Sequence, residues 1–322
     1  LVVELIAACW EHGQVPAAFQ QAVIVALPKV PGAKAWSDHR GISLLAVTGK
    51  VLTRIILDRA RSVPVLDVQH GFRRANGTAA ATFVTKRVIE DAHRVGLPLV
   101  VTFLDLQKAY DSIPRDILWD TMRRYGFGER TVKLVQALYD DRVVVKLDGK
   151  LSAGSFKSGR GVRQGCLFSP FLFNLVMDRV LRLAEPQIAG IPFTDGRGEQ
   201  RKVWARGYAD DIALFSRNME HAQHDLDAVV RACAAAGLLL NAKKSEYIRL
   251  PDRRRREAPA AAPVNLPASI QRVPAGFTNT GAMWYVPPAA EWRLKRIKCP
   301  VCQGEIKGDK RLRWHLEAAH NL

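Results

Sequence analysis

The chain has 322 residues, 48 % of them hydrophobic, which is enough to bury a sizeable core and too apolar for a disordered segment. Lys and Arg number 48 against 31 Asp and Glu, a formal net charge of +17 with a pI near 10.0. Such an excess points to a polyanion, and because no apolar run reaches the roughly 18 to 20 residues of a membrane span, nucleic acid is expected and a membrane is not.

The chain opens on Leu1 rather than Met, so it reads as a piece of a longer frame without a signal peptide, and "LVVELIAACWEHG" predicts an amphipathic helix closed by Gly13. Residues 19–29 predict a strand ended by Pro28; 47–62 and 77–96 carry helical spacing. Residues 97–106 predict a strand buried on both faces and ending in Asp105. Two helices follow, 114–126 with Pro114 in the first turn and Gly126 as stop, and 128–140. Residues 141–159 predict a hairpin turning at Asp148 and Gly149. Ser169 as cap and Pro170 at the first helical position start a long helix over 169–185. Residues 202–208 and 212–217 predict two short strands with Ala209, Asp210 and Asp211 at the turn between them. A helix over 219–237 stopped by Gly237 and a strand over 238–250 complete the body. This alternation predicts an α+β fold, an antiparallel sheet with helices on one face.

After Leu250 the character changes. Residues 251–290 are rich in Arg, Pro and Ala without periodicity and read as a basic linker. In the tail, Cys299 and Cys302 are separated by two residues, twelve precede His315, and four more precede His320. That spacing puts two thiolates on a hairpin knuckle and two imidazoles one turn apart on a helix, a tetrahedral Zn2+ site. The five cysteines, with Cys9, Cys166 and Cys233 scattered, do not make a secreted disulfide framework and indicate a reducing compartment.

The chemistry concentrates in the aspartates. If the strand ending in Asp105 neighbours the hairpin carrying Asp210 and Asp211, three carboxylates converge at one sheet edge, tolerable only around cations. Oxygen ligands favour Mg2+ or Mn2+, and two such ions about 4 Å apart support phosphoryl transfer. With the basic body, this predicts nucleotidyl transfer on a nucleic acid. Taken alone, a paired aspartate at a turn is ordinary turn chemistry; the surrounding motifs give it weight.

"TFLDLQKAYDSIPRDILW" (102–119), "GVRQGCLFSPFLFNLVMD" (161–178), "GYADDIALFS" (207–216) and "GLLLNAKKSEYIRL" (237–250) resemble, in order and spacing, the palm motifs of reverse transcriptases of LINE-type non-LTR retrotransposons. Residues 27–56 and 69–83 resemble that group's fingers segments, so the resemblance spans roughly residues 15 to 250. It implies a right-hand polymerase with fingers in 1–96 and palm in 97–250, a linker over 251–290 and a ββα C2H2 zinc finger in 291–322. Implied activity is addition of dNTP to a primer 3′-hydroxyl on an RNA template, with DNA as primer or target and a nuclear location, otherwise cytoplasmic. The resemblance assigns Asp105, Asp210 and Asp211 to metal, Tyr110 to exclusion of a ribose 2′-hydroxyl, and Gln164 to the incoming nucleotide. It assigns Arg40 to the triphosphate, with Lys29 as a second clamp and Lys243 or Lys244 as a general acid. The chain departs from the family at Gly41, where proline is usual, which is expected to loosen the backbone beside Arg40. After Leu250 no primer-grip hairpin, thumb or endonuclease is recognised. Two rival readings remain: a decayed, non-catalytic nucleic-acid-binding remnant, and an RNA-dependent RNA polymerase on the same palm.

Overall fold

The computed structural model describes residues 1–33, 35, 38–73, 76–140, 142–147, 150–194, 198–250, 271–272, 297–298 and 305–306. In chain order, α1 (Val2–His12) and the one-turn α2 (Ala17–Gln20) precede β1 (Gln21–Pro28) and β2 (His39–Leu44). Next come α3 (Val47–Ala60), α4 (Thr78–Val95), β3 (Leu99–Leu104), α5 (Ala109–Ser112), α6 (Arg115–Arg124) and α7 (Glu129–Tyr139). The chain continues through β4 (Arg142–Leu147), β5 (Lys150–Leu151), α8 (Ser169–Ala184), β6 (Ile191–Thr194) and β7 (Gln200–Val203). Then come β8 (Ala205–Tyr208), β9 (Asp211–Ser216), α9 (Met219–Ala235), β10 (Glu246–Leu250), β11 (Gln271–Arg272), β12 (Ile297–Lys298) and β13 (Glu305–Ile306). The chain divides into two units, Leu1–Arg272 and Val273–Leu322. Of the second, only the antiparallel pair β12–β13 is described, and Cys299, Cys302, His315 and His320 lie outside the described residues.

Two larger sheets organise the first unit. One has the order β2-β1-β4-β5: β1 runs antiparallel to β2, with Leu27 opposite Arg40, and parallel to β4, with Val23 opposite Val144. The other has the order β11-β10-β3-β9-β8, with β3 antiparallel to both neighbours. Successive strand residues point to opposite faces, and Val100, Val101, Ala213 and Leu214 are all buried. The centre of this sheet is therefore buried on both faces, as the apolar run over 97–106 predicts. α9 packs on β3 and β9, and α8 packs on α6 and α9. Apolar around most of its circumference, α8 buries Leu172, Phe173, Leu175, Val176, Met177, Val180 and Leu181, as a helix at the centre of a core must.

Several local expectations are corrected. Phe19 and Gln20 are helical, and the first strand begins at Gln21. Phe168, not Ser169, occupies the N-cap of α8; Ser169 is helical, and its buried hydroxyl pairs with the Tyr139 hydroxyl at 2.6 Å. The segment read as one strand over 202–208 changes sheets at buried Trp204: β7 pairs with β6, and β8 with β9. The strand expected over 238–250 starts only at Glu246, because residues 242–244 form a turn. β2 and β6 were not anticipated. Gly41 sits in the ladder opposite Ala26, where a Cβ would lie 3.1 Å from Ile24 Cγ2.

Fully buried Asp178 on α8 ties three segments together. Its carboxylate accepts from the Leu66 N–H at 2.5 Å, the Tyr125 hydroxyl at 2.5 Å and Arg182 Nε at 2.6 Å. Charge-assisted bonds away from water are strong, and removing the acceptor strands buried donors. Asp178→Ala should lower unfolding free energy by about 3 kcal/mol, read from urea midpoints at constant m-value.

Candidate active site

β3 ends with Leu104 opposite Ile212 of β9, so one step further along each strand stand Asp105 and Asp211. The β8–β9 hairpin closes on the pair Tyr208 and Asp211, leaving Ala209 and Asp210 as its two turn residues. Three carboxylates thus share one end of two neighbouring strands, the juxtaposition that the sequence requires. Ala209 is buried and left-handed, with φ of 56°; for a residue with a Cβ that conformation costs about 1–2 kcal/mol.

Electrostatics record the crowding. Burial and the charge of Asp105 push the Asp210 carboxyl above its ordinary range, against the opposing charges of Arg40 and Lys244. Burial, then Asp210 and Asp105, push Asp211 up to about 6, with Lys244 again opposing. Lys244 is thus the lysine of the 242–244 turn whose charge is felt at both carboxylates; Lys243 is exposed in the same turn. Among the described residues no group of three or more Asp, Glu, His or Cys side chains is drawn close enough together to hold a metal ion. What the fold provides is a set of oxygen donors with uncompensated negative charge, which suits a hard divalent cation.

Asp105 is held by a network that the sequence did not reveal. Asn241 Nδ2 donates to Asp105 Oδ2 at 2.8 Å, and the Asn241 N–H donates to the Asp105 carbonyl at 2.7 Å. The Asp105 N–H donates to Ser245 Oγ at 3.2 Å, whose hydroxyl donates to the Asn241 carbonyl at 2.9 Å. Reading 238–250 as strand hid this arrangement, although Asn is a residue type that favours turns.

Tyr110 lies beside this group, its phenol pushed up by burial and then by the charge of Asp210. The ring stacks on Phe173 at 4.3 Å with an interplanar angle of 10° and meets Phe72 edge-on at 6.3 Å. Two such contacts fix the ring as a wall. Gln164 Nε2 donates to Asp111 Oδ1 at 3.2 Å, and its carbonyl accepts the Ser43 N–H of β2 at 2.6 Å. Gly165 has φ of 119°, and a Cβ there would lie 2.4 Å from the Ser43 carbonyl oxygen, so only glycine allows this approach. A cleft of about 520 Å³ opens here, lined by Gly41, Ser43, Asp111, Arg160 and Gln164 among others. Arg40 lies exposed on β2, and Lys29 just beyond β1 at the loop end of the same hairpin, its N–H bonded to the Asp38 carbonyl at 2.7 Å.

The family model for reverse transcriptase (RNA-dependent DNA polymerase) matches residues 28–279. The chain belongs to the reverse transcriptase family. It is 33 % identical over 236 residues to the Pol polyprotein of the type-2 retrotransposable element R2DM of Drosophila melanogaster, covering 72 % of this chain and 22 % of that one. It is 30 % identical over 244 residues to an R2 Pol polyprotein of Nasonia vitripennis, covering 74 % and 23 %. It is 28 % identical over 241 residues to the 149 kDa protein of transposon TX1 of Xenopus laevis, covering 73 % and 18 %. The chain therefore spans about a fifth of the length of these curated relatives. Among solved structures, apo telomerase from Candida tropicalis superposes with a TM-score of 0.51 at 12 % identity, over 76 % of this chain and 54 % of that one, a likeness of fold. Among the described residues, no helix of this reverse transcriptase is long and apolar enough to cross a membrane.

With divalent cations chelated, the raised Asp211 carboxyl binds a proton more tightly in the folded than in the unfolded chain. Its contribution to stability is therefore present at low pH and lost as pH rises from the ordinary value of 3.8 through about 6. Asp211→Asn should remove that slope and leave the chelated protein about 1 kcal/mol more stable than wild type at pH 7, allowing for partial solvent screening; urea midpoints at pH 4, 5, 6 and 7 measure it.

Proposed function

We propose that the chain is the polymerase core of a non-LTR retroelement, adding dNTP to a DNA primer or target 3′-hydroxyl under the direction of an RNA template. The observation that carries this reading is the β3–β9 register, which sets Asp105 beside Asp211 with Asp210 in the adjoining turn. Asp105, Asp210 and Asp211 would hold two Mg2+, or Mn2+, whose charge activates the attacking hydroxyl and stabilises departing pyrophosphate. Arg40, with Lys29 beyond it, would grip the triphosphate; planar guanidinium donors match phosphate oxygens. Lys244, rather than Lys243, is read as the general acid that would protonate pyrophosphate; the support is its charge felt at the carboxylates. Tyr110 forms the wall against a 2′-hydroxyl, and Gln164 borders the incoming nucleotide. In the tail, Cys299, Cys302, His315 and His320 are read as a zinc finger; the support is their spacing and the antiparallel β12–β13 pair, which flanks the two cysteines in sequence.

Extension of oligo(dT) on poly(rA) with Mg2+ is the direct test. Asp210→Asn should lower the rate about a thousandfold while template affinity changes less than about twofold; equal extension by that variant refutes the metal assignment. Inactive wild type would favour the decayed remnant, and equal use of rNTP and dNTP an RNA polymerase. Tyr110→Ala should raise rNTP incorporation relative to dNTP by about tenfold or more in competition assays. One zinc per chain by elemental analysis, lost in Cys302→Ser, is expected for the tail.

A further inference from the structure

Residues 68–71 lie alongside β8. The Gly207 N–H donates to the Val68 carbonyl at 2.7 Å, the His70 N–H donates to the Gly207 carbonyl at 2.8 Å, and Gln69 bridges Gly207 in the parallel sense. Between these bonds the Gln69 side chain, 0 % exposed, reaches across to the left-handed residue of the aspartate turn. Its Nε2 donates to the Ala209 carbonyl at 3.1 Å, and its Oε1 accepts the Ala209 N–H at 2.9 Å and the Gly71 N–H at 2.9 Å.

A two-residue hairpin turn has no ladder partner for its central peptide groups, and a buried group left unpaired is costly. The Gln69 amide supplies both missing partners at once, as a neighbouring strand would. Alanine resists a left-handed conformation, and such residues persist only where surrounding structure over-determines them. Gly71 completes the fit, since a Cβ there would lie 2.4 Å from Ala209 N, and buried Asn174 of α8 donates to the Gly71 carbonyl. Asp210 follows Ala209 directly, so rotation about Ala209 carries the Asp210 carboxylate away from Asp105.

We propose that Gln69 is a positioning residue of the polymerase site: its amide holds Ala209 left-handed and thereby fixes Asp210 relative to Asp105. The inference rests on the metal-binding role proposed above for these carboxylates. Gln69 touches no reacting atom. Its effect falls on cation binding and on the chemical step rather than on nucleotide affinity, because metal-dependent transfer tolerates only about 0.5 Å of misplacement.

The test compares wild type, Gln69→Met, Ala209→Gly and the double variant. Methionine keeps the volume and loses all three bonds, whereas glycine adopts the left-handed turn unaided. Mn2+ affinity is read by electron paramagnetic resonance of the free ion, and kcat and dNTP KM by primer extension. Gln69→Met should weaken Mn2+ binding and lower kcat each by about tenfold or more, with KM within about twofold, and Ala209→Gly should restore most of both losses. Should circular dichroism show Gln69→Met unfolded, Gln69→Asn replaces it, since the shortened amide cannot span Ala209 N and O. Mn2+ affinity within twofold of wild type in a folded variant overturns the proposal. So do losses that Ala209→Gly leaves untouched, which would make Gln69 a core residue only, and so does a wild-type chain that binds no Mn2+. A wild type that binds Mn2+ but extends no primer defeats the polymerase reading, while the Mn2+ comparison still decides the role of Gln69.

Discussion

Repulsion among three carboxylates at one sheet end is the constraint around which the rest of this molecule is arranged. Asp105 and Asp211 end up side by side because β3 and β9 pair in one register, and a slip of one residue would send the two side chains to opposite faces. Burial of both strands fixes that register, since every consecutive residue from Ile212 to Ser216 is buried and has no solvent-facing alternative. The same burial raises the cost of charge. Arg40 and Lys244 offset it only in part, as the raised carboxyls of Asp210 and Asp211 record. A site that is electrostatically unfavourable by itself and favourable around cations is a recurrent way of storing function in a stable fold.

Rigidity around the aspartates comes from side chains distant in sequence. Asn241 and Ser245 fix Asp105 from the turn before β10, and Tyr110 is stacked against a central helix rather than left to swing. On the other side, the close approach of Gly165 to Ser43 joins the loop holding Gln164 to the strand bearing Arg40. A side chain at position 165 would part surfaces that the proposed chemistry needs within a few ångströms.

Much of this was legible in the chain itself. The helices α4, α6, α7, α8 and α9 follow their apolar spacing, and Ala209 and Asp210 form the expected turn, whereas Asp211, expected there too, is the first residue of β9. The juxtaposition with Asp105 was a geometric guess that strand pairing supplied. β2 was hidden because "HRGISL" mixes exposed, charged and glycine positions without alternation, and β6 because a proline interrupts four residues. Asn241 was hidden by a wrong period: an apolar run before it suggested strand, while its backbone serves Asp105 in a turn. Ser169 misled because a hydroxyl before proline looks like a cap, whereas burial gave it a tyrosine partner.

The parallel pairing of β1 with β4 has a kinetic consequence. Gln21 meets Arg142 across a separation of about 120 residues, so the loop-closure entropy of the first sheet falls on contacts made late. During synthesis, β1 and β2 emerge before the strand that covers the free edge of β1, and two-stranded ribbons are marginal in water. The edge is covered only after β3 and the helices following it have been made. Until β4 has been made, a nascent chain is open to mispairing along that unfilled edge.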